Sequence, residues 1–252
     1  MKNKFIVCNW KMNGNKKLVT EFIDEISEST RSQGQGIPPK IIACFPFPYL
    51  PSLSSCANSA DFENTDIISL GAQDCSSEER GAFTGDVSAN MLRDIGCDYV
   101  ILGHCERRKY HKESDSTILA KALSAIKNNI TPIICIGESS PCKFDIEIQQ
   151  QITSSIPSDG KIIIAYEPVW AVGAPYEAVS SGHISRAISY IKSCIHPAED
   201  RCLGVLYGGA ANTINALQIM ASGADGLMLG RAGMNAKEVL DIAQICSSNQ
   251  KN

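Results

Sequence analysis

The sequence predicts an α/β protein, a single (β/α)8 barrel with parallel inner strands and outer helices, spanning residues 1–252. Short apolar segments alternate eight times with polar or glycine-bearing turns and longer stretches of helical periodicity. No low-complexity or linker-like tract interrupts the series. A barrel of this class typically uses about 250 residues as one domain, so the length and the alternation favour the same architecture.

The predicted strands are continuous apolar runs rich in β-branched residues. Such runs are typical of parallel sheets, whose strands are buried on both faces. The eight segments are Phe5–Cys8, Ile41–Cys44, Ile68–Ala72, Tyr99–Leu102, Ile133–Ile136, Ile162–Tyr166, Leu203–Tyr207 and Gly226–Leu229.

The predicted helices carry apolar residues at helical spacing with polar residues between them. They are Lys16–Arg31, Ser116–Asn128, Glu147–Ser155, Val179–Cys194, Asn212–Ser222 and Ala236–Ser247. A doubly wound open sheet is the main alternative. It is disfavoured because no G-x-G-x-x-G sequence follows the first strand.

The composition is that of an ordinary globular protein, with a net charge of −4 and a pI near 5.6. No basic cluster longer than Arg107–Lys109 occurs, so a nucleic-acid partner is not expected. No apolar run approaches the roughly 20 residues of a membrane helix, and the opening apolar stretch is too short for a signal peptide. The 11 cysteines are odd in number and contain no C-x-x-C pair. This pattern predicts free thiols and a cytoplasmic location.

Polar residues that follow the strands are the candidates for chemistry, because barrels of this class place their active sites at the carboxyl ends of the strands. Asn9 and Lys11 follow strand 1, His104 and Glu106 follow strand 4, and Glu167 follows strand 6. Taken singly, the lysine could be a surface residue and the glutamate an ion-pair partner. Together they indicate an acid–base site.

Glu167 is the predicted general base. In "AYEPVWAVG" the carboxylate lies among apolar residues, and such surroundings are a common source of general bases. His104, in "GHCERR", is predicted to precede a short helix. A helix N-terminus disfavours imidazolium, so the ring is expected to be a neutral hydrogen-bond donor.

Glycine-bearing turns follow strands 7 and 8 in "YGGAAN" and "LGRAG". Gly208, Gly209 and Gly230 leave backbone amides that a ligand can approach, and loops at these positions commonly bind phosphate. One glycine pair alone would be read as a tight turn. Two such turns in consecutive loops favour a phosphate site.

The predicted chemistry is proton abstraction next to a carbonyl group. A carboxylate removes the proton from carbon, while a neutral imidazole and an ammonium group stabilise the charge on oxygen. The phosphate site positions the far end of the substrate. No cofactor and no metal are expected, since no Asp/Glu/His cluster has the sequence spacing of metal ligands.

The sequence resembles the triosephosphate isomerase family throughout its length. The motifs "CNWKMNG", "LGHCERR", "CIGE", "AYEPVWAVG", "YGGA" and "LGRAG" stand in that family's order and spacing. The resemblance implies interconversion of dihydroxyacetone phosphate and D-glyceraldehyde 3-phosphate, in glycolysis and gluconeogenesis. It assigns Glu167 as the base, His104 as the electrophile, Lys11 as the electrostatic partner, Asn9 as a substrate ligand and Glu106 as a supporting acid.

The resemblance also implies a mobile lid at Pro168–Ala174 and a cytoplasmic homodimer in which Thr84 reaches the partner subunit. The implied substrate-binding residues are Asn9, Lys11, Gly173, Gly208, Gly209, Ala210, Gly230 and Arg231.

Several positions depart from the family's usual residues. Cys105 replaces a serine that holds the base, and a thiol is a poorer donor, so Glu167 is expected to be held less firmly. Of two hydrogen bonds that latch the closed lid, the one from Tyr207 to the amide of Ala178 is kept. The second loses both partners, because Ala210 replaces a serine and Pro175 has no amide hydrogen. Arg231 replaces a second glycine.

Two other functions remain open from the sequence. A ribulose-phosphate epimerase would need metal ligands on several strands, and none are visible. A barrel that has lost catalysis and serves as a binding protein would not be expected to keep Asn9, Lys11, His104 and Glu167 together.

Overall fold

The structure, a computed structural model, describes residues 4–32, 39–51, 68–172, 179–195 and 200–248. Eight parallel strands form a closed barrel in which each strand pairs with the next and the last pairs with the first. This confirms the predicted fold class. The strands are β1 (Phe5–Asn9), β2 (Lys40–Cys44), β3 (Ile68–Ala72), β4 (Tyr99–Leu102), β5 (Thr131–Ile136), β6 (Ile162–Tyr166), β7 (Cys202–Tyr207) and β8 (Gly226–Leu229).

Four strands have the predicted bounds and the other four extend them by one or two residues. The largest difference is in β5, which begins at Thr131 rather than Ile133. Thr131 and Pro132 do not belong to an apolar run, so hydrophobicity gave no signal for them. Pro132 is tolerated because it lies next to the first residue of the strand, where few ladder hydrogen bonds are lost.

The strands pack apolar side chains on both faces. Phe5 and Val7 of β1 point into the barrel, while Ile6 and Cys8 belong to the layer between the strands and the helices. This alternation is the two-residue period of a strand. Beyond the last inward-facing apolar residue of each strand, the same alternation turns Asn9, the last residue of β1, and Glu167, the residue after β6, into the carboxyl-terminal mouth of the barrel.

The helices surround the barrel. They are α1 (Lys16–Ser32), α2 (Ala89–Asp94), α3 (Cys105–Tyr110), α4 (Asp115–Lys127), α5 (Phe144–Ser155), α6 (Ser181–Ile195), α7 (Ala216–Ala221) and α8 (Ala236–Ser248). The short helix predicted after His104 is α3. Helix α2 was not predicted, since six residues are too few to show a helical period.

Helix α7 begins four residues later than predicted. The side chain of Asn215 accepts a hydrogen bond from the amide of Asn212, and that of Asn212 accepts one from the amide of Ile214. Asparagine side chains that bind nearby amides in this way favour turns over helix interiors. The segment before Ala216 is therefore a turn beside the barrel mouth.

No helix in the described ranges is long and apolar enough to cross a membrane. The buried residues Cys8, Cys44, Cys97 and Cys135 are free thiols that pack as small apolar side chains. This agrees with the prediction of free thiols for these positions.

Candidate active site

A cavity of about 990 Å³ opens at the carboxyl ends of the strands. Predicted site residues from five different parts of the chain meet there. Those that line it are Asn9, Lys11, His104, Glu167, Gly208, Gly209, Ala210, Gly230 and Arg231. Gly173 lies outside the described residues.

Glu167 follows β6 and is 3% exposed. Its Oε1 lies 3.1 Å from Nε2 of His104, and its Oε2 accepts a hydrogen bond of 3.2 Å from the backbone amide of Cys105. Burial raises the pKa of Glu167, but the contacts with His104 and the Cys105 amide and the charge of Lys11 lower it below the usual range. Glu167 is therefore an ionised, buried carboxylate at the edge of the cavity.

His104 is the residue that precedes α3 and caps it. Its Nδ1 accepts a hydrogen bond of 3.2 Å from the backbone amide of Glu106. Burial lowers the pKa of His104, whereas the facing carboxylate of Glu167 and the Cys105 thiol raise it as long as Glu167 stays turned towards the ring. An imidazolium carries hydrogen on both nitrogens and could not accept the amide bond. The helix backbone fixes that amide, while the carboxylate can rotate away, so we infer a neutral ring with its proton on Nε2.

Lys11 has a left-handed backbone, with φ of 53°. A residue with a side chain adopts this region at a cost, and such strain is common at functional sites. Oδ1 of Asn9 accepts a hydrogen bond of 3.0 Å from the amide of Lys11, which stabilises the turn. The ammonium group forms an ion pair of 2.7 Å with Glu106. The strained turn thus fixes the position of the ammonium at the cavity.

Cys105 is the first residue of α3 and is 9% exposed. Its backbone amide, not its thiol, donates to Glu167. The sulfur lies 3.9 Å from Nδ1 of His104. The contacts that hold the base in this conformation therefore come from a backbone group and from the imidazole, which do not depend on the side chain at position 105.

Gly208 provides room for the base. A Cβ atom at this position would lie 2.8 Å from Cγ of Glu167 and 3.1 Å from Cε of Met228. The first distance forces the stem of Glu167 to shift, and the second requires the end of the Met228 side chain to give slightly. Any larger residue at 208 would displace the carboxylate.

The glycine turns meet Lys11 at the other side of the cavity. A Cβ atom on Gly230 would lie 3.8 Å from Cε of Lys11. A short 3₁₀ helix, Arg231–Met234, begins directly after this glycine, and Arg231 is exposed at the cavity. Loops after strands 7 and 8 with a short extra helix form the usual phosphate site of such barrels.

The predicted lid begins against a buried carboxylate. Nε1 of Trp170 donates a hydrogen bond of 2.7 Å to Oε1 of Glu138, which also accepts one of 3.0 Å from the hydroxyl of Tyr166. Glu138 is fully buried, and Nε2 of His183 lies 3.1 Å from the same oxygen. The start of the lid is therefore tied to β5 and α6. Pro168–Val172 are described, and Ala174, Pro175, Tyr176 and Ala178 lie outside the described residues.

Tyr207 ends β7 just before the Gly208–Gly209 turn and is not among the described residues that line the cavity. Its side chain is buried, and burial together with the charge of Glu138 raises its pKa to about 12. A Cβ atom on Gly209 would lie 2.2 Å from the hydroxyl oxygen, so only glycine fits there. Thr84 is exposed and is not among the described residues that line the cavity.

Sequence reasoning missed several residues of the cavity wall. Asn13 and Trp10 belong to a motif that had been singled out, and Nδ2 of Asn13 donates to the carbonyl of Trp10. Asn212 lies in "YGGAAN", and proximity to the glycine turn could have indicated it. Met228 and Glu238 gave no signal, because an apolar strand residue and a helical glutamate look like ordinary core and surface residues. All five line the cavity.

The fold and this cavity define an enzyme of the (β/α)8-barrel class whose site suits proton transfer on a phosphorylated substrate. The triosephosphate isomerase family model matches residues 4–246. The chain belongs to the triosephosphate isomerase family. Its function is that of an intramolecular aldose–ketose isomerase, and nothing favours the alternative of an inactive binding barrel.

The similarity to individual relatives extends over nearly the whole length of both chains. The chain is 34% identical to triosephosphate isomerase of Polynucleobacter asymbioticus over 257 residues, covering 97% of this chain and 100% of the relative. It is 36% identical to that of Gluconacetobacter diazotrophicus, covering 96% and 97%. The crystal structure of triosephosphate isomerase from Bartonella henselae superposes with a TM-score of 0.82 at 28% identity, covering 96% of this chain and 98% of that chain.

Proposed function

We propose that Glu167, His104, Lys11 and Asn9 carry out the isomerisation of dihydroxyacetone phosphate and D-glyceraldehyde 3-phosphate. Glu167 removes a proton from the carbon next to the carbonyl group, and the electron pair moves to the carbonyl oxygen. The same carboxylic acid then returns the proton to the neighbouring carbon, while the proton of the adjacent hydroxyl passes to the former carbonyl oxygen and the hydroxyl oxygen becomes the new carbonyl. All protons and electron pairs that move come from the substrate, and the carboxylate ends the cycle as it began, so the reaction requires no cofactor.

Charge on the enediolate oxygens is stabilised by two groups at the cavity. Nε2–H of His104 donates a hydrogen bond, and the ammonium of Lys11 supplies a positive charge. In the present conformation Nε2 faces the carboxylate of Glu167 at 3.1 Å. For the reaction, the carboxylate turns from the ring towards the substrate carbon, which frees the Nε2–H group for the substrate oxygen.

The phosphate group of the substrate binds at the glycine turns. Gly208, Gly209, Gly230 and the start of the Arg231–Met234 helix allow close approach to backbone amides, and Lys11 lies beside them. Ala210 contributes its backbone to this wall, and Gly173 belongs to the proposed lid. This binding holds the reacting carbons between the base and the donor.

The observation that carries the proposal is the 3.1 Å contact of a buried carboxylate, Glu167, with the imidazole of His104 at the mouth of the barrel. A coupled isomerase assay tests it. Glu167→Asp withdraws the base by one methylene and is expected to lower kcat about 100-fold or more, since an error of about 1 Å costs that much.

His104→Gln is expected to lower kcat by a similar order, because it weakens the donor to the developing oxyanion. Glu79→Gln and His111→Gln are matched controls on exposed residues. Wild-type turnover of Glu167→Asp would exclude Glu167 as the base.

We further propose that the chain is a single domain and works as a cytoplasmic homodimer. Met12 is 95% exposed next to Lys11, and Phe83 is 47% exposed next to Thr84. Burying these side chains against a second copy would remove exposed apolar surface beside the site. Light scattering tests the assembly: a dimer is expected for the wild type and dissociation for a Met12→Asp, Phe83→Asp variant.

A further inference from the structure

Three side chains that ligate transition metals converge at the edge of the cavity. One ring nitrogen of His104, the sulfur of Cys105 and a carboxylate oxygen of Glu167 all lie within 4.8 Å of one another. All three residues are buried. We propose that this cluster binds one Zn²⁺ ion or a similar thiophilic divalent cation, and that the bound ion reversibly inhibits the isomerase.

The spacing is close to that of a zinc site. Tetrahedral Zn²⁺ has ligands at about 2.0–2.3 Å, which places neighbouring ligand atoms roughly 3.4–3.8 Å apart. Nε2 of His104 and Oε1 of Glu167 are separated by 3.1 Å, and a ring nitrogen, the sulfur of Cys105 and a carboxylate oxygen all lie within 4.8 Å of one another. Side-chain rotations that move these atoms by about 1 Å bring the three ligands into range.

Glu106 provides the outer hydrogen bond that a zinc-bound histidine needs. When Nε2 binds the metal, the ring proton moves to Nδ1, and Oε2 of Glu106 lies 3.5 Å from that nitrogen. A carboxylate in this position orients the ring and increases its basicity. The ring must also turn away from the backbone amide of Glu106, whose hydrogen otherwise faces Nδ1–H, and this cost limits the affinity.

The chemistry of the ligands selects the metal. The thiol of Cys105 binds as a thiolate, and its proton passes to solvent. A thiolate, an imidazole and a carboxylate suit Zn²⁺ or Co²⁺, whereas Mg²⁺ prefers oxygen ligands alone. The charge of Lys11 is neutralised by Glu106 at 2.7 Å, which reduces its repulsion of the cation.

Inhibition follows from the identity of the ligands. With a metal bound, the carboxylate of Glu167 and Nε2 of His104 are both occupied, so neither can act on a substrate. Excess chelator removes the ion and restores the free side chains. The inference concerns metal binding itself, and its main test does not depend on isomerase activity.

The direct test is a titration with Co²⁺ that is monitored by the thiolate-to-cobalt charge-transfer band in the absorption spectrum. The background carries Cys142→Ser and Cys194→Ser, which remove two exposed thiols outside the site. We expect one Co²⁺ ion to bind per chain. One equivalent of Zn²⁺ should displace the Co²⁺ and abolish the band. Cys105→Ser is expected to abolish the band. The Kd for Zn²⁺, measured by calorimetry, is expected to rise at least about tenfold in Cys105→Ser and in Glu167→Gln.

Cys105→Ala serves as a second variant in case the serine retains weak binding. Retention of the band in both Cys105 variants, or an unchanged Kd in Glu167→Gln, would overturn the assignment. In the activity assay, Zn²⁺ should inhibit and a chelator should reverse the inhibition, while Mg²⁺ should have no effect. Zinc binding without inhibition would overturn the inhibitory role.

Discussion

The backbone amide of Glu106 donates a hydrogen bond of 3.2 Å to Nδ1 of His104. This bond joins the first turn of α3 to the ring that faces the base. Because Nδ1 is the acceptor, a neutral ring carries its proton on Nε2, the nitrogen that lies 3.1 Å from Glu167. The helix start therefore determines which nitrogen can donate to a substrate oxygen.

The tautomer of His104 can be measured by ¹⁵N NMR of the wild-type protein at neutral pH. We expect an unprotonated Nδ1 and a protonated Nε2. In Glu167→Gln the pKa of the ring should fall, because the carboxylate that raises it is gone. His111, which is exposed and lies outside the cavity wall, provides an internal reference signal. Protonation of both nitrogens of His104 at pH 7 would contradict the neutral-donor role.

Gly208→Ala should impair catalysis without unfolding the protein. The added methyl group would lie 2.8 Å from Cγ of Glu167 and must displace the base. We expect kcat to fall by at least about tenfold, since small errors in position are costly. Gly182→Ala is the control, as its nearest contact is 4.0 Å away. Equal kcat values for the two variants would show that Glu167 tolerates the shift.

Lys121→Met should strongly destabilise the fold. Nζ of this buried lysine lies 2.8 Å from Asp74 and 2.6 Å from Glu113. Its loss leaves two poorly exposed carboxylates with one cation fewer. We therefore expect the free energy of unfolding, measured with urea, to fall by about 3–5 kcal/mol. Lys127→Met removes an exposed pair with Glu79 and should cost less than about 1 kcal/mol. If Lys121→Met and Lys127→Met lowered the free energy of unfolding by similar amounts, the buried ion pairs would contribute little to stability.

The contribution of Glu113 should depend on pH. Burial raises its pKa, but hydrogen bonds from Lys121 and Arg107 and their charges lower it overall. A carboxyl group whose pKa is lower in the folded state stabilises the fold at pH values above its unfolded pKa of about 4.3. This stabilisation is lost as the pH falls through the folded-state pKa. The stability difference between wild type and Glu113→Gln should therefore shrink below about pH 4.3. A difference that stays constant with pH would contradict the shift.

Tyr207→Phe should weaken lid closure. If its hydroxyl is the remaining latch, losing one hydrogen bond of about 1 kcal/mol lowers the closed population several-fold. We expect lower kcat and weaker binding of a transition-state-like phosphate inhibitor, with inorganic phosphate less affected. Tyr110→Phe, at an exposed tyrosine, is the control.

Ala178, the predicted partner of Tyr207, and Pro175, which belongs to the lost second latch, lie outside the described residues, so the latch remains a prediction. Adding Pro175→Gly and Ala210→Ser to Tyr207→Phe should restore a second hydrogen bond and recover part of kcat. If the triple variant equals Tyr207→Phe alone, the paired replacement has no energetic role in closure.

The sequence by itself determined the fold class and most of the cavity. Parallel strands buried on both faces leave a continuous apolar run, so β3, β4, β6 and β8 were predicted with their observed bounds. The candidate residues could be placed because chemistry in such barrels gathers at the carboxyl ends of the strands. Motif resemblance then indicated the roles of Glu167 and His104.

Only the tertiary structure decided how these groups contact one another. The Cys105 amide rather than its thiol holds Glu167, and the strained turn of Lys11 brings its ammonium to Glu106. These contacts join residues as many as 95 positions apart in sequence. Their distances depend on how strands and helices pack in three dimensions. A sequence pattern reports the burial and period of each segment, but not the position of one side chain relative to another.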